Sequence, residues 1–242
     1  AGLPYYLNGF LDEVRVTKGR ALTSEEIKSA ASRKPYAVYT SSAIDAGAST
    51  AWDTLSWSES GVRTGDGETL YDSTGLAAQW NFNDLSGISA TSSAGSCVGC
   101  SGTLTNFAST ASQDAASGSG WTTNNKRWGA GALMFDGTDD YVDIPSEANF
   151  DFANGIFSVT AWVKLTGTLL NPIISKRSGG NSSWEVGIIN GRPSLTFAAV
   201  GDYFAPSGVV NDGNWHYVVV AVSGNGGTVR MYADGIEVYS TT

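Results

Sequence analysis

The stretch Gly129–Ile144, G-A-G-A-L-M-F-D-G-T-D-D-Y-V-D-I, sets two short apolar runs on either side of a tight acidic turn. Leu133 and Phe135 alternate with Ala132 and Met134, which is strand spacing. Asp136-Gly137 opens the turn, glycine supplying the backbone angle that other residues avoid. Val142 and Ile144 then alternate with Tyr141 and Asp143, which predicts a second strand, an acidic hairpin, and a stop at Pro145. Four carboxylates, Asp136, Asp139, Asp140 and Asp143, fall within eight positions. Such crowding is costly unless water, a cation or backbone N–H groups absorb the charge.

Downstream of that stretch the pattern stays β. In Phe157–Leu165, residues Phe157, Val159, Ala161, Val163 and Leu165 share one face, and Ser158, Thr160, Trp162 and Lys164 the other. Further strands are predicted at Pro172–Ser175, Trp184–Ile189, Ser194–Ala198, Trp215–Val222, Val229–Tyr232 and Ile236–Tyr239. Asn190-Gly191 and Asp234-Gly235 are hairpin signals, and Trp215–Val222 is apolar on both faces, as a covered central strand is. Upstream, Ala78–Phe82 and Thr103–Asn106 read as strands around a Ser/Gly-rich loop, and 108–125 is a polar excursion. Strands at this spacing predict an all-β, double-sheet sandwich or jelly roll.

The N-terminal part is organised differently. Phe10–Val16, F-L-D-E-V-R-V, reads as a strand with Phe10, Val14 and Val16 on one face and Asp12 as an anomaly on that face. One short helix follows. Thr23 and Glu26 form a capping box, and Leu22 and Ile27 a hydrophobic staple. Residues 36–71 read as a small β connector, with strands at Ala37–Thr40 and Thr54–Trp57 around a Gly47–Thr50 turn and a Gly-rich loop at Gly61–Glu68.

With 242 residues, 30 of them glycine, the chain suits one large β domain with many turns plus accessory pieces. The formal net charge of −9 repels nucleic acid and attracts divalent cations. No apolar run is long enough for a membrane helix, no signal-peptide pattern is present, and the chain reads as a piece of a longer protein. Cys97 and Cys100 form one C-x-x-C, too few ligands for structural zinc. A local disulfide in a secreted protein is the preferred reading, a free thiol pair the alternative.

Taken together, G-L-A-A-Q-W-N-F-N-D, G-A-L-M-F-D-G-T-D-D-Y-V-D-I, F-S-V-T-A-W-V-K, P-I-I-S-K and N-W-H-Y-V-V-V with V-R-M-Y-A-D-G resemble the concanavalin A-like lectin/glucanase superfamily in its laminin-G-like jelly-roll branch. The resemblance covers Gly75–Thr242 and implies two packed antiparallel sheets, often with a calcium ion near the sheet rim. One departure stands out. In that branch the Y-x-D-G hairpin is followed by a last strand like G-F-L-D-E-V-R-V and a helix like A-L-T-S-E-E-I, which here stand at the opposite end, in Gly9–Lys28. The expected division is therefore 1–34, a displaced closing strand and helix; 35–74, the connector; and 75–242, a jelly roll lacking its last strand. An open edge of that kind calls for completion, by its own strand in cis, by a strand from the next copy, or by a covalent junction in a tandem array. Each arrangement buries Phe10, Val14 and Val16.

Asp139, Asp140, Asp84 and Asp136 are the calcium ligands the resemblance implies, with turn-forming and capping aspartates as the plain alternative. Trp162, Trp184 and Tyr203 are candidates for stacking against sugar, if they are exposed rather than packed. No catalytic residue is assigned: the paired glutamates of the glucanase relatives are missing, Glu147, Glu185 and Glu237 stand alone, and His216, the single histidine, lies within a strand motif. Asn181-Ser182-Ser183 is a glycosylation sequon. The expectation is an extracellular structural or adhesive module, a repeating surface or filament subunit whose partners are other copies of itself, with glycans or cell-surface proteins as further partners. A carbohydrate-binding module of a larger secreted protein is the alternative.

Overall fold

The computed structural model describes residues 6–33, 40, 42–43, 47, 54, 56, 67–68, 72–114, 118–152, 155–176, 183–197, 201–224 and 227–241. The strands expected at 37–40 and 54–57 lie outside these residues except for Thr40, Thr54 and Ser56, as do Asn181 and Ser182 of the sequon. So do the turn after Gly47, most of the Gly-rich loop before Gly67, and Ala198.

Fifteen strands and one α-helix follow one another among the described residues. They are β1 (Asn8–Lys18), α1 (Ser24–Ala31), β2 (Leu76–Trp80), β3 (Ser89–Ala90), β4 (Gly102–Thr105), β5 (Gly120–Thr122), β6 (Ala132–Asp136) and β7 (Tyr141–Asp143). After a single 3-10 turn come β8 (Ile156–Leu165), β9 (Asn171–Lys176), β10 (Trp184–Ile189), β11 (Arg192–Phe197), β12 (Gly201–Phe204), β13 (Trp215–Ser223), β14 (Val229–Ala233) and β15 (Ile236–Ser240). One large antiparallel sheet has the order β15-β14-β13-β8-β1-β6-β5, with β2 also beside β1. Two smaller sheets, β12-β11-β10-β9 and β3-β4-β7, share a single apolar core with it. This is the expected all-β sandwich of antiparallel sheets with one helix.

The displaced strand closes its own sheet. β1 pairs with β8 along one edge, and on the other with β6 over its first half and β2 over its second. Its faces differ from the expected ones because of a β-bulge. Glu13 adopts a φ of 54°, and three steps along β1 from Asp12 to Arg15 answer two along β8 from Trp162 to Thr160. The extra residue shifts the phase of the alternation. Leu11, Val14 and Val16 therefore point into the core, while Phe10 is half-buried on the other side of the sheet, beside Trp215 with ring centroids 6.3 Å apart. Phe10 does not share a face with Val14 and Val16. Asp12 belongs to that outer side too, so it is no anomaly in the core.

The acidic stretch is not a hairpin either. β6 lies in the large sheet and β7 in the three-stranded one, so the aspartate turn carries the chain from one layer to the other. The hairpins expected at Asn190-Gly191 and Asp234-Gly235 do form, each with two successive positive φ values, 51° and 73°, then 52° and 82°.

α1 packs on the outer face of the large sheet. Thr23 caps it through the reciprocal Thr23–Glu26 hydrogen bonds, worth about 1 kcal/mol. Ile27 is fully buried among Trp128, Trp162, Tyr217, Val219 and Tyr232, a burial worth roughly 1.5–3 kcal/mol. The face of β8 that alternation marks as polar is thus covered by a helix, and the large sheet is apolar on both sides at its centre.

Candidate functional site

The layer-changing corner collects three acidic side chains. One carboxylate oxygen from each of Asp136, Asp139 and Asp140 lies within 4.8 Å of the others. The turn forms because Asp136 Oδ1 accepts from the Thr138 N–H at 2.7 Å, an Asx turn, with Gly137 at a φ of 80°. Asp140 is buried beneath it. Its Oδ2 accepts from the Asp136 N–H (2.8 Å) and its Oδ1 from the Ser119 hydroxyl (3.2 Å). Burial raises the Asp140 carboxyl above the usual carboxylate range; those two hydrogen bonds offset part of the rise, and the charges of Asp136 and Asp139 add to it. Asn106 secures the rim through the Asp139 carbonyl at 3.2 Å.

Hard carboxylate oxygens gathered at one point fit a divalent cation, and Asp136 and Asp139 present theirs at the surface. Asp84 is not part of the group. It holds the Ser/Gly-rich loop by accepting from the Thr91 N–H (3.0 Å) and hydroxyl. Ser119 and Asn106, which position the corner, come from stretches with no local signal; only the fold brings them to the aspartates.

The aromatic candidates fare differently. Trp162 is 4% exposed, beneath the Arg127 guanidinium at 4.2 Å from the ring centroid and beside Tyr217. Trp184 is 1% exposed, with its Nε1–H donated to the Phe150 carbonyl (2.9 Å) and its ring among Phe152 and Phe157. Neither offers a face to a sugar. Tyr203 is half-buried on β12 and packs toward Tyr239, with ring centroids 6.3 Å apart. Cys97 and Cys100 stand at disulfide distance with Cα atoms 5.8 Å apart, and the Cys100 carbonyl accepts from Trp80 Nε1 (2.8 Å).

Asp12, singled out by its place in an apolar strand, belongs to a polar cluster on the outer side of β1 whose other members were not legible in the sequence. Asp12 Oδ2 accepts from the backbone N–H groups of Arg127 (2.8 Å) and Trp128 (2.9 Å). Burial pushes the Asp12 carboxyl up to about 7 despite those bonds. Glu13 Oε2 accepts from Arg15 (2.6 Å) and from Gln79 Nε2 (3.1 Å), and Arg15 also donates to the carbonyls of Gly67 and Glu68, both at 2.8 Å. The cluster ties β1 to the end of the connector. His216 does similar work at the β14–β15 hairpin: Nδ1 meets Asp234 at 2.7 Å and Nε2 meets Asp212 at 2.9 Å. The Asp234 bond, together with Asp212, outweighs burial and raises the imidazole to about 9.

Residues 136–242 match the family model described as the concanavalin A-like lectin/glucanases superfamily, and that segment is a member of it. No curated protein and no solved structure matches the chain. The laminin-G-like and lectin-like domains of this superfamily are typically non-catalytic and usually extracellular; they bind glycans or proteins, often with calcium. A segment of this kind suggests a carbohydrate- or ligand-binding module. Among the described residues no helix is long and apolar enough to cross a membrane. The strands ahead of the matched segment, β1 above all, complete the same core.

Proposed function

We propose that the chain is an extracellular structural or adhesive module, a repeating subunit of a surface protein or filament, whose copies join by exchanging β1. The observation that supports this is the position of β1. It is a central strand of the large sheet, yet it reaches the rest of its sandwich only through the connector. The same pairings with β6, β8 and β2 form whether β1 comes from its own chain or a neighbour, which makes exchange an inexpensive route to assembly. Leu11, Val14 and Val16 carry the exchanged burial, and Asp12 and Glu13 fix the register. The corner formed by Asp136, Asp139 and Asp140 holds calcium, which neutralises the crowded charge and steadies the turn between layers.

Light scattering on the full chain over a range of concentrations tests the exchange. Dimers and longer assemblies with native β content are expected, and a chain lacking residues 1–20 is expected not to form them. A folded monomer at every concentration contradicts the reading. The buried positions of Trp162 and Trp184 weigh against the carbohydrate-binding alternative.

A further inference from the structure

The layer facing the large sheet is split. β9 ends the four-stranded sheet and β7 ends the three-stranded one, and among the described residues neither has a partner on its outer edge. β7 along its whole length and β9 from Pro172 to Lys176 line one groove of about 490 Å³. Its floor is the apolar inner face of the large sheet, including Leu11 and Val14 of β1, Trp80 and Phe135.

β7 and β9 run in the same direction. Asn8 pairs with Asp136, just ahead of β7, and its N–H donates to Asn171 Oδ1 (2.9 Å) at the start of β9. At the other end Trp184 pairs with Lys176, the last residue of β9, and bonds to the carbonyl of Phe150, downstream of β7. Every strand pairing between the described strands is antiparallel. In an antiparallel sheet, next-but-one strands share a direction. The two free edges are therefore oriented to flank one inserted strand, antiparallel to both.

Charge narrows the occupant. Asp143 and Glu147 stand exposed at the groove's mouth, and the lining lysine, Lys176, is already paired with Asp151. The strand a second copy would offer, β1, carries Asp12 and Glu13 at its centre, which would meet Asp143 and Glu147 with like charge. We propose that this groove accepts, from another polypeptide, an extended strand with apolar residues at alternate positions and lysine or arginine between them. The apolar side chains reach the floor, the basic ones meet Asp143 and Glu147, and the backbone bonds to β7 and β9. This rests on different residues from β1 exchange, and stands or falls separately from it.

The test uses the full chain and three synthetic heptapeptides: Val-Lys-Val-Thr-Val-Lys-Val, the same peptide with Glu for Lys, and the Lys peptide with Pro at its centre. The Lys peptide is expected to bind at least tenfold more tightly than either control. It is also expected to slow hydrogen exchange at Val142 and Ser175, whose amides face away from β4 and β10, without affecting the β12 and β15 edges. The double variant Asp143→Lys, Glu147→Lys, at exposed positions that leave the core untouched, is expected to reverse the preference toward the Glu peptide. Equal binding of all three peptides, or protection at β12 or β15 in place of β7 and β9, overturns the proposal. Slow exchange at Val142 and Ser175 in the free chain assigns the groove to the chain's own residues, and protection that grows with protein concentration assigns it to a second copy; either overturns it.

Discussion

The slot that holds β1 and the groove between β7 and β9 lie on facing layers of one sandwich, above the same core residues, and they are finished differently. β1 has partners on both edges, a bulge that sets its phase, and polar anchors at Asp12 and Glu13. The groove has two edges in matching direction and an apolar floor, with no strand between them among the described residues. A strand slot is thus defined by its edges and floor. Where the occupant stands in the chain is secondary, as the N-terminal origin of β1 shows.

Removing the occupant of the closed slot is expected to have the largest effect. Leu7, Leu11, Val14 and Val16 are buried, and at roughly 1.5–3 kcal/mol each their loss rivals the roughly 5–15 kcal/mol that holds a domain together. Deleting residues 1–20 is expected to abolish cooperative unfolding in circular dichroism; an unchanged transition breaks the comparison. Next come matched truncations. Leu133→Ala, on the strand paired with Leu11, is expected to lower stability by about 2–5 kcal/mol in urea unfolding. Ile174→Ala, half-buried on the open edge of β9, is expected to cost less than half of that. Equal losses would mean that the open side is as well packed as the closed one.

Protonation sharpens the contrast further, because β1 carries a buried acid. Asp12 is raised from 3.8 to about 7, so the folded chain holds that proton more tightly than the unfolded one. The Asp12 contribution falls as pH rises from about 4 and is spent above about 7, while Glu13, pushed by burial from 4.5 to about 9, carries the decline on to about 9. His216 is raised from 6.5 to about 9; its contribution is complete below 6.5 and is lost as pH climbs through 9. Urea midpoints measured against pH are expected to decline from about 4 to about 9, the part below 7 becoming shallower in Asp12→Asn, the part above it in His216→Asn, and both in Glu13→Gln. Calcium is expected to act least. At a tenfold excess over its dissociation constant it adds about 1.4 kcal/mol, a few degrees in Tm for a chain of this size. EDTA is expected to reverse the gain and Asp139→Asn to remove it; no change in Tm with calcium counts against the corner as a cation site.

Much of this architecture is legible in the residues. The alternation of Phe157–Leu165, the Asn190-Gly191 and Asp234-Gly235 turns and the Thr23–Glu26 box each act through neighbours in sequence, and each appears where expected. Alternation tells faces apart only while its phase holds, and the bulge at Glu13 resets it, which is why Phe10 parts from Val14 and Val16. The acidic turn shows two strands and a corner, but their separation into different sheets depends on what each strand pairs with later. Trp162 looks exposed on its strand and is covered by a helix from the far end of the chain. Asp84 follows a strand motif and is turned toward Thr91. For the site, the three clustered aspartates were visible, whereas Ser119 and Asn106 reach them only through tertiary structure.

Hydrogen exchange of the chain alone, read residue by residue, bears most directly on the difference between the two sides. The amides of Leu11 and Val14 should exchange as slowly as those of β8 and β13, while the outward-facing amides of β9 exchange orders of magnitude faster. Rapid exchange along β1, or protection of β9 equal to that of its inner neighbour β10, would contradict a sandwich closed on one side and open on the other.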